Sequence, residues 1–313
     1  MLGPDGGKGA VMHGAFAQAI TRRQDVVAAD DLTIVITFRL DRDERVHNLR
    51  TVLCCLQRTL AGAEIILMEA GSKLVGRSLI DESGIDPAGI RYVGAVENGC
   101  FHRTRMLNSG LAELSTRRFV AAYDTDTIAY PAAMQAALTK LREGTAFVTP
   151  FDGHVFDIRN GLRAGIVGNA GESLPSPAEI EQAVASENAV LMNTSSVGGV
   201  VIFDKRAFLQ AGGYHEHFIS WGYEDHELHR RFAKFGFALE RIPGFPLLHL
   251  THSRGRRGDG WYAGNRANKI LAMRLDALDR SQLERLIASG AFRIGGPQPA
   301  PPTLGERLRA LFF

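Results

Sequence analysis

The 313-residue chain has little cysteine, little tryptophan and almost no net charge, and it lacks any long apolar run. Its three cysteines are Cys54, Cys55 and Cys100. An odd count with two adjacent members is no disulfide framework, and it indicates a reducing compartment. With 36 Lys+Arg against 34 Asp+Glu, the formal charge is +2. That balance gives no electrostatic case for nucleic acid as the main partner. No apolar run approaches the ~20 residues that span a bilayer, and the first residues lack the basic-then-apolar layout of a secretory signal. The glycine-rich opening MLGPDGGKGA is not a phosphate loop. No glycine stands five residues before Gly7-Lys8, and no Ser or Thr follows the lysine.

What is present is an alternation of apolar, β-branched runs with helical spacing. LTIVITF (32–38) reads as a strand buried on both faces. Val46, Leu49, Leu53, Leu56 and Leu60 then repeat at helical spacing, and EIILM (64–68) reads as a second strand. A helix over about 104–114, the strand FVAAY (119–123), a helix over 131–141 opened by proline and the strand AFVTP (146–150) follow. GGVVIF (198–203) is a strand leading to a helix capped by Asp204 and ended by Gly212-Gly213. Another helix begins near Glu224, and FPLLHL (245–250) is the last core strand. The pattern predicts an α/β fold with a mixed, mostly parallel sheet flanked by helices. Residues 1–30 read as a flexible leader and 31–275 as one domain. Within it, 31–150 and 196–275 hold the strand and helix patterns, and 151–195, where Gly, Ser, Asn and Pro are scattered among short apolar pieces, reads either as a long variable loop or as a small subdomain over the sheet. Residues 276–313 form a C-terminal helix and Pro-rich tail, in which LGERLRALFF is either a docking helix or an amphipathic contact with a membrane or partner.

In VAAYDTDTIAY (120–130) an apolar run stops at Asp124-Thr125-Asp126. A polar strand end is one reading, since Asp folds readily onto nearby amides. A metal site is the other. Side chains at i and i+2 of an extended segment share a side, and in parallel sheets ligands bind at the carboxyl ends of the strands. Six of the ten histidines fall between His215 and His252. His226 and His229 lie in HELH, but a zinc-protease pair needs a spacing of four, so both read as helix-surface groups. Glu224-Asp225 stand at a helix start, where the dipole favours negative charge, beside Trp221 and Gly222. His249 and His252 can converge on one cation only if the strand has already broken.

In order along the chain, ITFRLDR (36–42), FHRTRMLNSG (101–110), YDTDT, GGVVIFDKRAFLQAGGY, WGYEDHELHRR and HLTHSR resemble the blocks of the β-1,4-galactosyltransferases. They also resemble related metal-dependent glycosyltransferases of the GT-A fold, including bacterial capsule-type family 2 enzymes. The resemblance implies that Phe38, Arg39, Phe101 and Arg103 contact the uridine and phosphates of a UDP-sugar, with Asp124 near the ribose. It implies that Asp126, His252 and His249 bind Mn2+ or Mg2+, His249 standing where the galactosyltransferases have methionine. Trp221 would close over the donor, Glu224 would hold a sugar and Asp225 would be the catalytic base. The implied activity is inverting transfer of a hexose or N-acetylhexosamine to a saccharide or glycolipid acceptor. The implied setting is cytoplasmic, with the tail as a peripheral contact at the inner membrane face. Retaining transfer, an NDP-sugar-binding module without transfer, and a nucleotidyltransferase are the alternatives. RLDRDER, where a nucleotidyltransferase has a glycine-rich loop, counts against the last. SRGRRGDGWYAGN (253–265) reads either as a donor lid or as a basic loop.

Overall fold

The computed structural model describes residues 26–40, 42–82, 85–97, 99–253 and 259–295, with residues 303 and 305. Most of the expected leader, part of the expected lid (254–258) and most of LGERLRALFF lie outside the described residues.

A seven-stranded sheet forms the centre. Its order is Leu239–Arg241, Phe147–Thr149, Val200–Asp204, Phe119–Tyr123, Leu32–Phe38, Glu64–Gly71 and Ile90–Val96. Val200–Asp204 runs antiparallel to both neighbours and every other pairing is parallel. The architecture is therefore the mixed, mostly parallel α/β sheet that the sequence pattern predicts. Leu32, Ile34 and Ile36 point to the face covered by the helices Asp43–Thr59 and Pro131–Arg142, and Val35 points to the other. The period of two along an extended chain divides one apolar run between two cores.

The second core holds the segment 103–114, an α-helix over Arg103–Asn108 that continues as a π-helical turn, Ser109–Leu114. Leu107 is buried in this core, Asn108 is buried beneath it, and Gly110 lies against the sheet. A Cβ at Gly110 would run into Val35 Cγ1 and approach Met68 Sδ to 2.9 Å. The Leu-Asn-x-Gly spacing thus seats the helix that begins at Arg103.

A second, four-stranded sheet has the order Ala189–Asn193, Val155–Ile158, Leu247–Leu250 and Thr127–Ile128. Two of its strands come from 151–195, which also contains the helices Asn160–Gly168 and Pro177–Ala185. Of the two readings of this region, a long loop or a small subdomain, its two strands and two helices are the ordered one. The second helix opens on a capping box between Ser176 and Glu179 with Pro177 in its first turn. Strand 90–96 and helix Gly76–Glu82 also fall where the sequence reads only as polar. The strand, IRYVGAV, is a half-exposed sheet edge, and its apolar residues stand among polar neighbours that mask the run. Among the described residues no helix is long and apolar enough to cross a membrane.

Gly110→Ala is expected to lower stability by about 1–3 kcal/mol through overpacking. Gly165→Ala, in a helix with open space at its Cβ, should be neutral or slightly stabilising. Urea denaturation of the two variants tests the contrast, and equal midpoints would show that the Gly110 contact is not tight.

Candidate active site and metal centre

Asp124 and Asp126 follow the central strand Phe119–Tyr123 at its carboxyl end, and the amide of Asp124 donates to Gly199 O at 2.8 Å. From there the two carboxylates go to different partners. Asp126 turns to histidines: its Oδ2 is 3.2 Å from His252 Nε2 and its Oδ1 is 3.8 Å from His249 Nε2. One ligand atom from each of Asp126, His249 and His252 lies within 4.8 Å of the others, so the three can hold a metal ion.

The small sheet makes this convergence. Strand Leu247–Leu250 ends one residue after His249, which frees Thr251 and His252 to turn. The Leu250 amide donates to Asp126 O at 2.7 Å, and buried Asn48 donates to Leu250 O at 2.8 Å. Glu44 accepts from the Ser253 amide at 2.6 Å. The helix Asp43–Thr59 therefore ties down both sides of the turn. His249 also meets a residue the sequence reading did not single out. Asp157, opposite it in the parallel register, has its Oδ1 2.8 Å from His249 Nδ1.

Asp124 turns to Arg103 instead, with Nη2 donating to its Oδ1 at 2.7 Å. The same guanidinium reaches Glu224 Oε1 at 3.2 Å and lies 3.8 Å from Asp225 Oδ1. Arg103 is buried, and its guanidinium faces three carboxylates. Glu224 and Asp225 open the helix Glu224–Lys234 after a tight turn in which Ser220, Gly222 and Tyr223 all have positive φ. Glu224 Oε2 stabilises that turn by accepting from Gly222 N at 2.7 Å. The turn is also held from the helix Asp259–Asp276, where Asn268 Nδ2 donates to Ile219 O at 3.0 Å. Asp225 takes a 2.8 Å hydrogen bond from Tyr214 OH, a second residue missed by the sequence reading. Asn108 clamps Tyr214 by accepting from its amide and donating to its carbonyl, both at 2.8 Å. Gly198 is needed because a Cβ there would overlap Asp225 Oδ2.

The remaining expected residues have other surroundings. Arg39 Nε donates to Ala70 O and its Nη1 to Gly99 O, each at 2.9 Å, and the guanidinium lies 5.7 Å from the Phe101 ring centre. Arg39 Nη2 is buried and has no hydrogen-bond partner among the described residues. Phe38 is 2% exposed in the core, its ring beside Gly76, and presents no open face. Trp221 is 60% exposed. His226 and His229 form no metal cluster among the described residues, and His229 stands edge-on to Phe147.

The electrostatics follow from burial among like charges. Burial, then the Asp225 charge, pushes Glu224 up to about 7 despite Arg103. Burial also raises Asp124. Burial alone would lower Arg103, but the surrounding carboxylates hold it well above its usual range. Asp126 is likewise penalised by burial, yet His252 and His249 keep it below the usual carboxylate range.

Residues 181–253 match the glycosyltransferase family described as the N-terminal domain of galactosyltransferase. The chain therefore resembles galactosyltransferases over the segment that supplies Trp221, Glu224, Asp225, His249 and His252. No curated protein matches the chain. Among solved structures, the mannosyltransferase PcManGT from Pyrobaculum calidifontis in complex with GDP-Man and Mn2+ is similar at 14% identity. That likeness covers 87% of this chain and 73% of that chain, with a TM-score of 0.49.

Because the Glu224 carboxyl is raised in the folded state, its ionisation opposes folding. The penalty is absent below the ordinary value of 4.5 and complete above about 7. Glu224→Gln should therefore gain stability relative to wild type by about 2–3 kcal/mol between pH 4.5 and 7.5. Urea denaturation across that range reads the difference, and a flat difference would contradict the raised carboxyl.

Proposed function

We propose that the protein is a metal-dependent, inverting glycosyltransferase of the GT-A type that moves a hexose or N-acetylhexosamine from a UDP-sugar to a saccharide or glycolipid acceptor. The observation that supports this best is the meeting of Asp126, His249 and His252 beside the Arg103–Asp124–Glu224–Asp225 cluster. Two imidazole nitrogens and a carboxylate suit a first-row divalent ion such as Mn2+, and Asp157 behind His249 is the outer partner such ligands usually have. When bound, the cation supplies Lewis-acid stabilisation of the departing pyrophosphate charge.

The chain's own residues account for the remaining tasks. Arg39 has a buried donor without a partner among the described residues and lies beside Phe101, which fits a uridine or phosphate contact. Asp124 is available to a ribose hydroxyl through the oxygen that Arg103 does not take. Arg103 holds its three carboxylates at fixed spacing, and in this role it need not touch phosphate. Asp225 removes the proton of the attacking acceptor hydroxyl, and the Tyr214 hydroxyl and Arg103 keep its carboxylate oriented. General-base removal of this kind contributes about 10²–10⁴-fold. Glu224, whose carboxyl is raised by burial and by the Asp225 charge, holds a sugar hydroxyl. Exposed Trp221, on a turn rich in positive φ, covers the donor.

Asp225→Asn should bind UDP within a few-fold of wild type while transfer falls by about 10²–10⁴-fold. Asp126→Ala should lose the metal-dependent part of UDP affinity. A screen of UDP-sugars for hydrolysis and transfer, run beside UDP calorimetry, checks both. Undiminished turnover by Asp225→Asn would remove its role as base.

A further inference from the structure

We infer that Asp157 is a positioning residue for the cation site, fixing the tautomer and the aim of His249. The inference rests on the proposed reading of Asp126, His249 and His252 as cation ligands. Asp157 is 4% exposed and stands directly across the parallel strand pair from His249. Its Oδ1 lies 2.8 Å from His249 Nδ1. An ionised carboxylate only accepts, so Nδ1 must carry the proton, and the lone pair is left on Nε2. Nε2 is the atom that faces Asp126.

Asp157 is not itself a fourth ligand. Its Oδ2 is occupied by Arg159 Nε at 2.7 Å and approached by Thr251 Oγ1 at 3.4 Å. His252 has a weaker support, its Nδ1 lying 3.2 Å from the carbonyl of Ser253, a residue on the exposed turn. The two histidines are thus held unequally. A carboxylate behind an imidazole raises its basicity and locks its ring, and loss of such a partner typically weakens metal binding 10–100-fold. Asp157 comes from 151–195, so this region supplies part of the cation site.

The test is titration of the full chain with Co2+, followed by its visible absorption, for wild type, Asp157→Asn, His249→Ala and the double variant. Circular dichroism and thermal melting without metal verify that each variant folds. Asp157→Asn is expected to weaken Co2+ binding by about 10–100-fold and to alter the absorption bands. In the His249→Ala background the same substitution should change affinity less than about twofold, because nothing remains for it to orient. Unchanged affinity in Asp157→Asn, or an equal loss in the His249→Ala background, would overturn the inference and leave the cation site standing. Failure of the wild-type chain to take up Co2+ would overturn both.

Discussion

One buried guanidinium holds the candidate site together. Arg103 enters from the helix Arg103–Asn108, meets Asp124 at the end of the central strand, and reaches Glu224 and Asp225 at the start of another helix. Three carboxylates drawn this close repel one another unless a cation neutralises them. Removing one partner of such a buried network leaves an uncompensated charge, at a cost of about 3–5 kcal/mol. The energetic argument is therefore less that Arg103 adds stability than that its loss cannot be tolerated. The elements packed beneath it serve that placement: Leu107 is buried in the core, Asn108 ties down Tyr214, and Gly110 allows close approach to Val35.

The two aspartates of Asp-x-Asp divide the site. Asp124 belongs to the guanidinium and Asp126 to the imidazoles, so a single strand end feeds two differently charged neighbourhoods. The small sheet carries the second of these. Its strands bring Thr127 beside His249 on one side and Asp157 beside it on the other. The helix Asp43–Thr59 pins the chain before and after His252 through Asn48 and Glu44. Three segments distant in sequence thus converge through backbone register and a few side-chain hydrogen bonds.

Much of this was legible in the sequence for physical reasons. Short apolar, β-branched runs bounded by turn residues favour strands buried on both faces, and Gly212-Gly213 stop the helix before them with positive φ. The condition that the strand must break before His252 is met at Leu250. The less legible parts are those set by tertiary pairing. Nothing local in VFDIRNG marks Asp157, because its partner lies 92 residues away and is chosen by strand register. The three carboxylates around Arg103 are likewise a product of packing. The helix Asn160–Gly168 is hidden by its glycines, and the capping-box pattern Ser176-Pro-Ala-Glu179, the local signal for the helix that follows it, went unread.

The most direct measurement of the central claim is calorimetric titration of UDP into the purified wild-type chain, with and without Mn2+. The account predicts binding that depends on the metal and disappears with chelator. Equal UDP affinity with and without the metal, or no UDP binding in either condition, would contradict it.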